Sequence, residues 1–150
     1  MIEVKGNLWT YPADVRVITT NGTVKKDGTC VMGRGCALEA KKMLPWLPQF
    51  LGSVISKNGN SPYLLDRSED GQLYSFPVKH NWYGKADIRL IEESAKAIIP
   101  LINSQAYLLP YGARTIVIPR PGCGNGGLNW ADVKPVLEPI LDDRFHVITF

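Results

Sequence analysis

Residues 121–130 read PGCGNGGLNW, a loop in which four of the first seven residues are glycine. The apolar, β-branched run RTIVIP precedes it at residues 114–119 and is typical of a buried strand. Glycine allows backbone conformations with positive φ and lets backbone N–H groups approach an anion closely. The loop therefore has three interpretations: a structural turn, a dinucleotide-binding loop, or a loop around another phosphate group.

A second glycine segment, MGRG, stands at residues 32–35 and ends a long predicted loop, residues 21–35. Like the first, it lies between a predicted strand and a predicted helix. In open α/β sheets, ligands bind beyond the carboxyl ends of the strands, where the next helix offers unpaired N–H groups. Two such loops in one small domain favour a diphosphate-binding site over two structural turns.

Two common nucleotide-binding motifs do not account for these loops. The Walker pattern G-x-x-x-x-G-K-[ST] is absent, which excludes a P-loop NTPase at the level of the motif. Gly122, Gly124 and Gly127 satisfy G-x-G-x-x-G, but the Rossmann site also needs a helix, a second strand and an acidic residue at that strand's end. Only 23 residues follow Gly127, and the Asp142-Asp143 pair precedes the last predicted strand. We therefore expect no Rossmann site.

The composition predicts a single globular domain, residues 1–150, with 45% hydrophobic and 21% charged residues. A net charge of +3 is too small for a dedicated nucleic-acid-binding protein. Three cysteines without C-x-x-C spacing and two scattered histidines predict neither a disulfide framework nor a metal site. We expect a cytoplasmic monomer without a cofactor. There is no apolar run of eighteen residues and no signal-peptide pattern, so we expect no membrane association.

Periodicity predicts an α/β domain with helices on both faces of a mixed, mostly parallel sheet. Asp87 is the predicted N-cap of the longest helix, and Pro100 is expected to kink it. The predicted strands are residues 2–5, 15–20, 63–66, 72–77, 114–119 and 145–149. The predicted helices are residues 36–44, 47–55, 87–104, and a last one from 129 or 132 to 141.

Five segments in their order along the chain resemble the macrodomains, a family that binds ADP-ribose. They are VKGNL at 4–8, VITTN at 17–21, VMGRGCAL at 31–38, FPVKHNW at 76–82, and the opening loop. The branch most similar to this pattern contains the terminal ADP-ribose glycohydrolases and the antitoxins that remove ADP-ribose from DNA bases. The resemblance implies a three-layer α/β/α macrodomain, with ADP-ribose or an ADP-ribosylated substrate such as modified DNA as its partner.

The resemblance also implies the residues that bind ADP-ribose. Asn21 matches the asparagine that faces the distal ribose, and Asn7 stands where many members have an aspartate that holds the adenine amino group. Because an amide lacks the carboxylate's charge, Leu8 is expected to carry more of the adenine contact. The implied set is Asn7, Leu8, Asn21, Met32, Gly33, Arg34, Gly35, Cys36, Ala37, Pro119, Gly122, Cys123, Gly124, Asn125, Gly126, Gly127 and Leu128.

Lys79 is the predicted catalytic residue. Its apolar neighbours Phe76, Pro77 and Val78 are expected to shield it from water, which favours the neutral amine. In the branch resembled, the lysine attacks the anomeric carbon of the distal ribose and displaces the modified group. His80 is expected to point to the opposite face of the strand and to take no part.

Two residues of the glycine loop refine this hypothesis. Cys123 is interpreted as a small packing residue and not as a nucleophile. By the same resemblance, Gly126 replaces an aspartate of the protein-directed glycohydrolase and matches the DNA-directed antitoxins. This favours a nucleobase or a small-molecule conjugate, and not a protein carboxylate ester, as the leaving group. Two alternatives stay open: a phosphatase acting on ADP-ribose 1″-phosphate, and a non-catalytic module that binds ADP-ribose or a related nucleotide.

Overall fold

The computed structural model describes residues 1–150. Six strands and four α-helices make up the domain, and a short 3₁₀ turn, Ala106–Leu108, follows the third helix. The strands are β1 Ile2–Lys5, β2 Val15–Asn21, β3 Leu64–Ser68, β4 Gly71–Lys79, β5 Ile116–Pro119 and β6 Phe145–Thr149. The helices are α1 Gly35–Met43, α2 Leu47–Asn58, α3 Ile88–Gln105 and α4 Trp130–Leu137.

The strands form one sheet in the order β1-β6-β5-β2-β4-β3, and only the β3–β4 pair is antiparallel. Alternate residues of a strand face opposite sides of the sheet. Accordingly, Val117 packs with α1 and α2, whereas Ile116 and Ile118 pack with α3 and α4. The predicted three-layer α/β/α fold with a mixed, mostly parallel sheet is confirmed.

The third helix begins as predicted. The Asp87 carboxylate accepts a hydrogen bond from the Arg89 N–H at 2.9 Å and so caps α3. The helix continues through Pro100 to Gln105. Its buried residues, among them Ile91, Ala95 and Ile98, form the predicted apolar face.

Some predicted boundaries are wrong by a few residues. Strand β5 starts at Ile116, two residues late, because the Asp14 carboxylate accepts the N–H groups of Arg114 and Thr115. Helix α4 ends at Leu137 instead of residue 141. The N–H groups of Ile140 and Leu141 both bond to the Leu137 carbonyl, so the chain forms turns there. Helix α2 extends to Asn58, three residues past its predicted end.

None of the helices is both long and apolar enough to span a membrane.

Candidate ligand-binding site

A cavity of about 750 Å³ opens at the carboxyl ends of the central strands. Strands β2 and β5 are parallel neighbours, so the loops that follow them leave the same edge of the sheet side by side. A Cβ placed at Gly35 in the first loop would lie 3.1 Å from Nδ2 of Asn125 in the second. The two glycine segments, distant in the sequence, therefore face each other across one cavity.

Nearly every residue expected to bind a ligand lines this cavity, and so does Lys79. The exceptions are Gly127 and Leu128, which the structure places outside the lining. The Leu128 side chain packs against the core beneath α3, and its N–H bonds to the Gly122 carbonyl at 3.0 Å. These two residues close the loop from behind, so they hold its shape without lining the cavity.

The lining is rich in backbone N–H groups that have no partner in the protein. Gly124, Asn125 and Gly126 donate no backbone hydrogen bond. Helix α1 starts at Gly35 with no side-chain cap and no acidic residue in its first turn. Because unpaired N–H groups and the positive end of a helix both favour anions, this region can bind a diphosphate. Exposed Arg34 adds a positive charge beside it.

The second loop has its shape because side chains are excluded from two positions. Gly122 has φ +76°, and a Cβ there would lie 2.6 Å from Cδ1 of Ile91. A Cβ on Gly126 would lie 2.3 Å from the Gly122 carbonyl oxygen. The contact at Gly126 is with backbone, which cannot move aside, and the positive φ at Gly122 is one that residues with a Cβ rarely adopt, so both positions favour glycine.

The long loop after β2 is held by the side chain of Asn21. Its Nδ2 donates to the Val31 carbonyl at 2.9 Å, and its Oδ1 accepts the Thr23 N–H at 3.0 Å. On the other side of this loop, Gly52 of α2 packs so closely that a Cβ there would lie 2.0 Å from the Gly28 carbonyl. Asn21 thus has a structural task in addition to lining the cavity.

Asn7 lies at the other end of the cavity, after β1. Its Oδ1 accepts the Trp9 N–H at 2.8 Å, and its carbonyl accepts the N–H groups of Thr10 and Tyr11. The side-chain oxygen that was expected to meet a base is therefore already engaged in a turn. Leu8 beside it is buried and lines the cavity.

Lys79 is half-buried at the end of β4 and lies directly opposite Asn21 in β2. Its Nζ donates to the Trp82 carbonyl at 3.4 Å, and its own carbonyl accepts Nδ2 of Asn60 at 3.0 Å. The lysine makes no ion pair, so its amine can contact a ligand in the cavity.

His80, the next residue, does not line the cavity. Its Nε2 pairs with the Asp87 carboxylate at 2.8 Å, at the start of α3. The sequence-based expectation that His80 lies away from Lys79 agrees with this geometry.

The cysteine thiols of the cavity are poor nucleophiles. Burial raises the pKa of the Cys36 thiol, which also contacts Oγ1 of Thr19 at 3.5 Å. Burial likewise raises the pKa of Cys123, whose side chain packs against the core. A thiol whose pKa is raised is protonated at neutral pH, so neither residue is activated for attack.

The cavity also contains residues that the sequence reasoning missed. Three of them are aromatic, namely Trp9, Trp82 and Phe150, and two are charged, namely Arg120 and Glu39. Trp82 belongs to the FPVKHNW segment, so the motif contained the signal. The position of Phe150 follows from β6, whose carboxyl end meets the same edge of the sheet. Arg120 pairs with Glu3 at 3.3 Å and stacks on Trp130, which the sequence does not reveal.

A scan against models of known protein families finds no match. A DNA ADP-ribosyl glycohydrolase from Thermus aquaticus is 30% identical over 145 residues, covering 93% of this chain and 37% of that protein. A DNA ADP-ribosyl transferase–glycohydrolase fusion protein from Thermosipho africanus is 27% identical over 136 residues, covering 77% and 34%. The chain thus spans about a third of the length of the curated relatives it matches.

Solved structures show the same fold. The macrodomain of Thermus aquaticus DarG superposes with a TM-score of 0.77 at 25% identity, covering 99% of this chain and 96% of that one. The macrodomain of Mycobacterium tuberculosis DarG gives 0.79 at 24% identity, covering 98% and 95%. Thermosipho africanus DarTG in complex with ADP-ribose gives 0.77 at 20% identity, covering 98% and 41%. This chain therefore has the macrodomain fold, and DNA ADP-ribosyl glycohydrolases are among the proteins that it resembles in sequence.

Proposed function

We propose that this protein binds ADP-ribose in the cavity and cleaves the bond that joins it to a DNA base, with Lys79 as the nucleophile. The observation that carries this proposal is the pairing of Lys79 with Asn21 at the edge of the cavity, beside the two glycine loops. The relatives named DNA ADP-ribosyl glycohydrolase and the relative with bound ADP-ribose support the substrate class.

The cavity offers one place for each part of ADP-ribose. The free N–H groups of the second loop and of the start of α1 suit the diphosphate, and Arg34 can neutralise its charge. The adenosine would then lie toward Asn7, Leu8 and Phe150. The distal ribose would lie toward Asn21 and Lys79, at the ends of β2 and β4, which β5 separates from β1 and β6.

In this orientation the neutral amine of Lys79 attacks the anomeric carbon of the distal ribose. The new C–N bond forms as the bond between that carbon and the base nitrogen breaks, and the electron pair leaves with the base. The attacking amine carries an extra proton after bond formation, and this proton passes to the base. The ring oxygen of this adduct then leaves the anomeric carbon as the electron pair of the lysine nitrogen forms a C=N bond, and the ring oxygen takes a proton from water. The resulting hydroxide adds to the carbon of this Schiff base, its proton passes to the nitrogen as Lys79 leaves, and the ribose ring recloses to give free ADP-ribose.

Gly126 supports a nucleobase as the leaving group. The loop has no space for a side chain there, because a Cβ would lie 2.3 Å from the Gly122 carbonyl oxygen. A carboxylate at this position is therefore not available to move a proton. A nitrogen base accepts a proton from the lysine itself, so the proposed reaction needs no such acid.

The test is release of ADP-ribose from an ADP-ribosylated single-stranded oligonucleotide, followed by chromatography. Wild type is expected to release it, and Lys79→Ala to be slower by at least about 100-fold. Lys79→Arg replaces the amine with a guanidinium, which stays protonated and is a poor nucleophile, so it is expected to be as slow as Lys79→Ala. The matched control is Lys96→Ala, since Lys96 is an exposed lysine of α3 outside the cavity that pairs with Glu92.

A covalent intermediate gives a second readout. Cyanoborohydride reduction during turnover is expected to attach ADP-ribose to Lys79, which peptide mass spectrometry detects. Full activity of Lys79→Ala contradicts the proposal. Phosphate release from ADP-ribose 1″-phosphate that survives the mutation supports the phosphatase alternative. Binding of ADP-ribose by calorimetry without turnover of any substrate supports a non-catalytic module.

A further inference from the structure

Two aromatic side chains extend from the cavity into solvent beside Lys79. Trp82 is 47% exposed and Tyr83 is 72% exposed. Their rings pack edge to face, with centroids 5.7 Å apart and planes at 90°. Trp82 also lines the cavity, whereas Tyr83 does not. The two rings are therefore in contact and together reach from the cavity into solvent; we call this pair the aromatic platform.

The backbone around the platform is tied to both walls of the cavity. The Trp82 N–H donates to Oγ1 of Thr23 in the loop after β2, at 2.9 Å. The Ala86 N–H donates to the Gly126 carbonyl in the second glycine loop, also at 2.9 Å. The rings are thus held outward by a braced segment, and their exposure is a feature of the fold. Two aromatic rings held at the rim of a cavity offer faces on which a flat ring of a partner can stack.

The charges around the platform are mostly positive. Lys85 and Arg89 are exposed and make no ion pair. The nearest carboxylate along the segment, Asp87, is paired with His80 at 2.8 Å. The loop bonded to Trp82 contributes two more exposed cations, Lys25 and Lys26. An aromatic surface flanked by free cations favours a partner that has both flat rings and negative charge.

We propose that the aromatic platform binds the single strand of nucleic acid that carries the ADP-ribosyl group. Tyr83 stacks on an unpaired base next to the modified nucleotide, and Lys85 and Arg89 contact the phosphates. Stacking on a side chain needs a base whose face is free, which a single strand offers and a duplex does not. The modified base must leave its own stack to bring its ribose to Lys79, which again requires unpaired bases. This inference rests on the proposed function, since it assumes a nucleic-acid acceptor.

The test measures binding, so that it does not depend on turnover. In the Lys79→Ala background, fluorescence anisotropy gives the Kd of a labelled ADP-ribosylated single strand, and calorimetry gives the Kd of free ADP-ribose. The strand is expected to bind more tightly than free ADP-ribose. Tyr83→Ala is expected to reduce the ratio of the Kd of free ADP-ribose to the Kd of the strand about tenfold. Tyr83→Phe is expected to keep this ratio because the ring remains. The matched control is Tyr107→Ala, which removes a tyrosine that is 79% exposed and lies in the turn after α3, outside the cavity.

Salt and strandedness provide independent readouts. Lys85→Ala is expected to lower the slope of log Kd against log salt by about 0.7, the value for one phosphate contact on a single strand. The same modified strand annealed to its complement is expected to lose its advantage over free ADP-ribose.

The proposal is overturned if Tyr83→Ala binds the strand as tightly as the Lys79→Ala parent. It is also overturned if the duplex binds as well as the single strand, or if only an ADP-ribosylated peptide depends on Tyr83. Failure of wild type to release ADP-ribose from DNA contradicts the proposed function and leaves these binding outcomes measurable.

Discussion

Asn21 of β2 and Lys79 of β4 lie opposite each other because the register of the two parallel strands shifts by one residue at their ends. Thr20 pairs with Pro77, but Asn21 pairs with Lys79, so Val78 has no partner. A local irregularity of this kind re-aims side chains at the end of a strand. The shift places Asn21, whose amide holds the loop after β2, beside Lys79. Lys79 is the only lysine that lines the cavity.

We predict that Asn21→Ala destabilises the protein and weakens its binding of ADP-ribose. The mutation removes the acceptor of the Thr23 N–H and the donor to the Val31 carbonyl. The free energy of unfolding in urea is expected to fall by about 1–2 kcal/mol. Asn21→Asp keeps the acceptor of the Thr23 N–H but places a carboxylate oxygen against the Val31 carbonyl, so it is expected to lose stability while the Thr23 N–H stays protected. Hydrogen exchange at the Thr23 N–H separates the two roles of Asn21: unchanged protection in Asn21→Ala contradicts the proposed hold on the loop.

We predict that Gly126→Ala is more damaging than Gly124→Ala, although the two glycines are two residues apart. A Cβ on Gly126 meets the Gly122 backbone, with its oxygen at 2.3 Å, whereas a Cβ on Gly124 meets nothing within 4 Å. Gly126→Ala is expected to lower the free energy of unfolding by about 2–3 kcal/mol. Gly124 has φ +80°, so its replacement costs only the backbone strain, about 1 kcal/mol. Urea denaturation measures both values, and equal losses would show that strain and not crowding governs the loop.

We predict that the contribution of Asp87 to stability disappears in acid. Its hydrogen bond to His80, aided by the Arg89 N–H, holds the pKa of the Asp87 carboxyl below its usual range. A carboxyl whose pKa is lower in the folded state stabilises fully above its unfolded pKa, about 4, and loses this contribution as pH falls through the folded value. The difference in unfolding free energy between wild type and Asp87→Ala is therefore expected to shrink below about pH 4.

The measurement is urea denaturation from pH 2 to 6. Asp70→Ala is the matched control, because Asp70 is an exposed carboxylate in the β3–β4 turn that makes no ion pair. The unfolding free energy of Asp70→Ala is expected to differ little from that of wild type between pH 2 and 6. A difference for Asp87→Ala that grows in acid would contradict the prediction.

Local patterns predicted most of the fold because they depend on neighbours in the chain. The isoleucines of α3 recur on one face, and Asp87 caps that helix as its position suggests. The boundaries that failed depend on distant residues. Asp14 takes the N–H groups that would have extended β5, and it lies 100 residues away from Arg114. Propensity contains no information about such a contact.

In the candidate site, too, features that depend on neighbours in the chain were predictable, and features that depend on distant contacts were not. The two glycine segments were recognisable because a loop that admits a phosphate needs glycine wherever φ is positive or a neighbour is close. The sequence indicates Gly126 only through its bearing on the leaving group. The structure shows in addition that the backbone of Gly122 leaves no space for a side chain at this position. The engagement of the Asn7 oxygen with the Trp9 N–H is likewise a matter of turn geometry, which residue identity does not reveal.

The amino-acid sequence by itself predicted the layered α/β architecture, the two glycine loops and Lys79 as the candidate nucleophile, because each prediction rests on a pattern within short segments. Only the tertiary structure decided that the loops face each other, since this follows from β2 and β5 being neighbours in the sheet. It also decided that Lys79 lies opposite Asn21 and that the aromatic platform is braced beside it. These relationships arise from pairing and packing between residues that are far apart in the chain, and that pairing exists only once the sheet has formed.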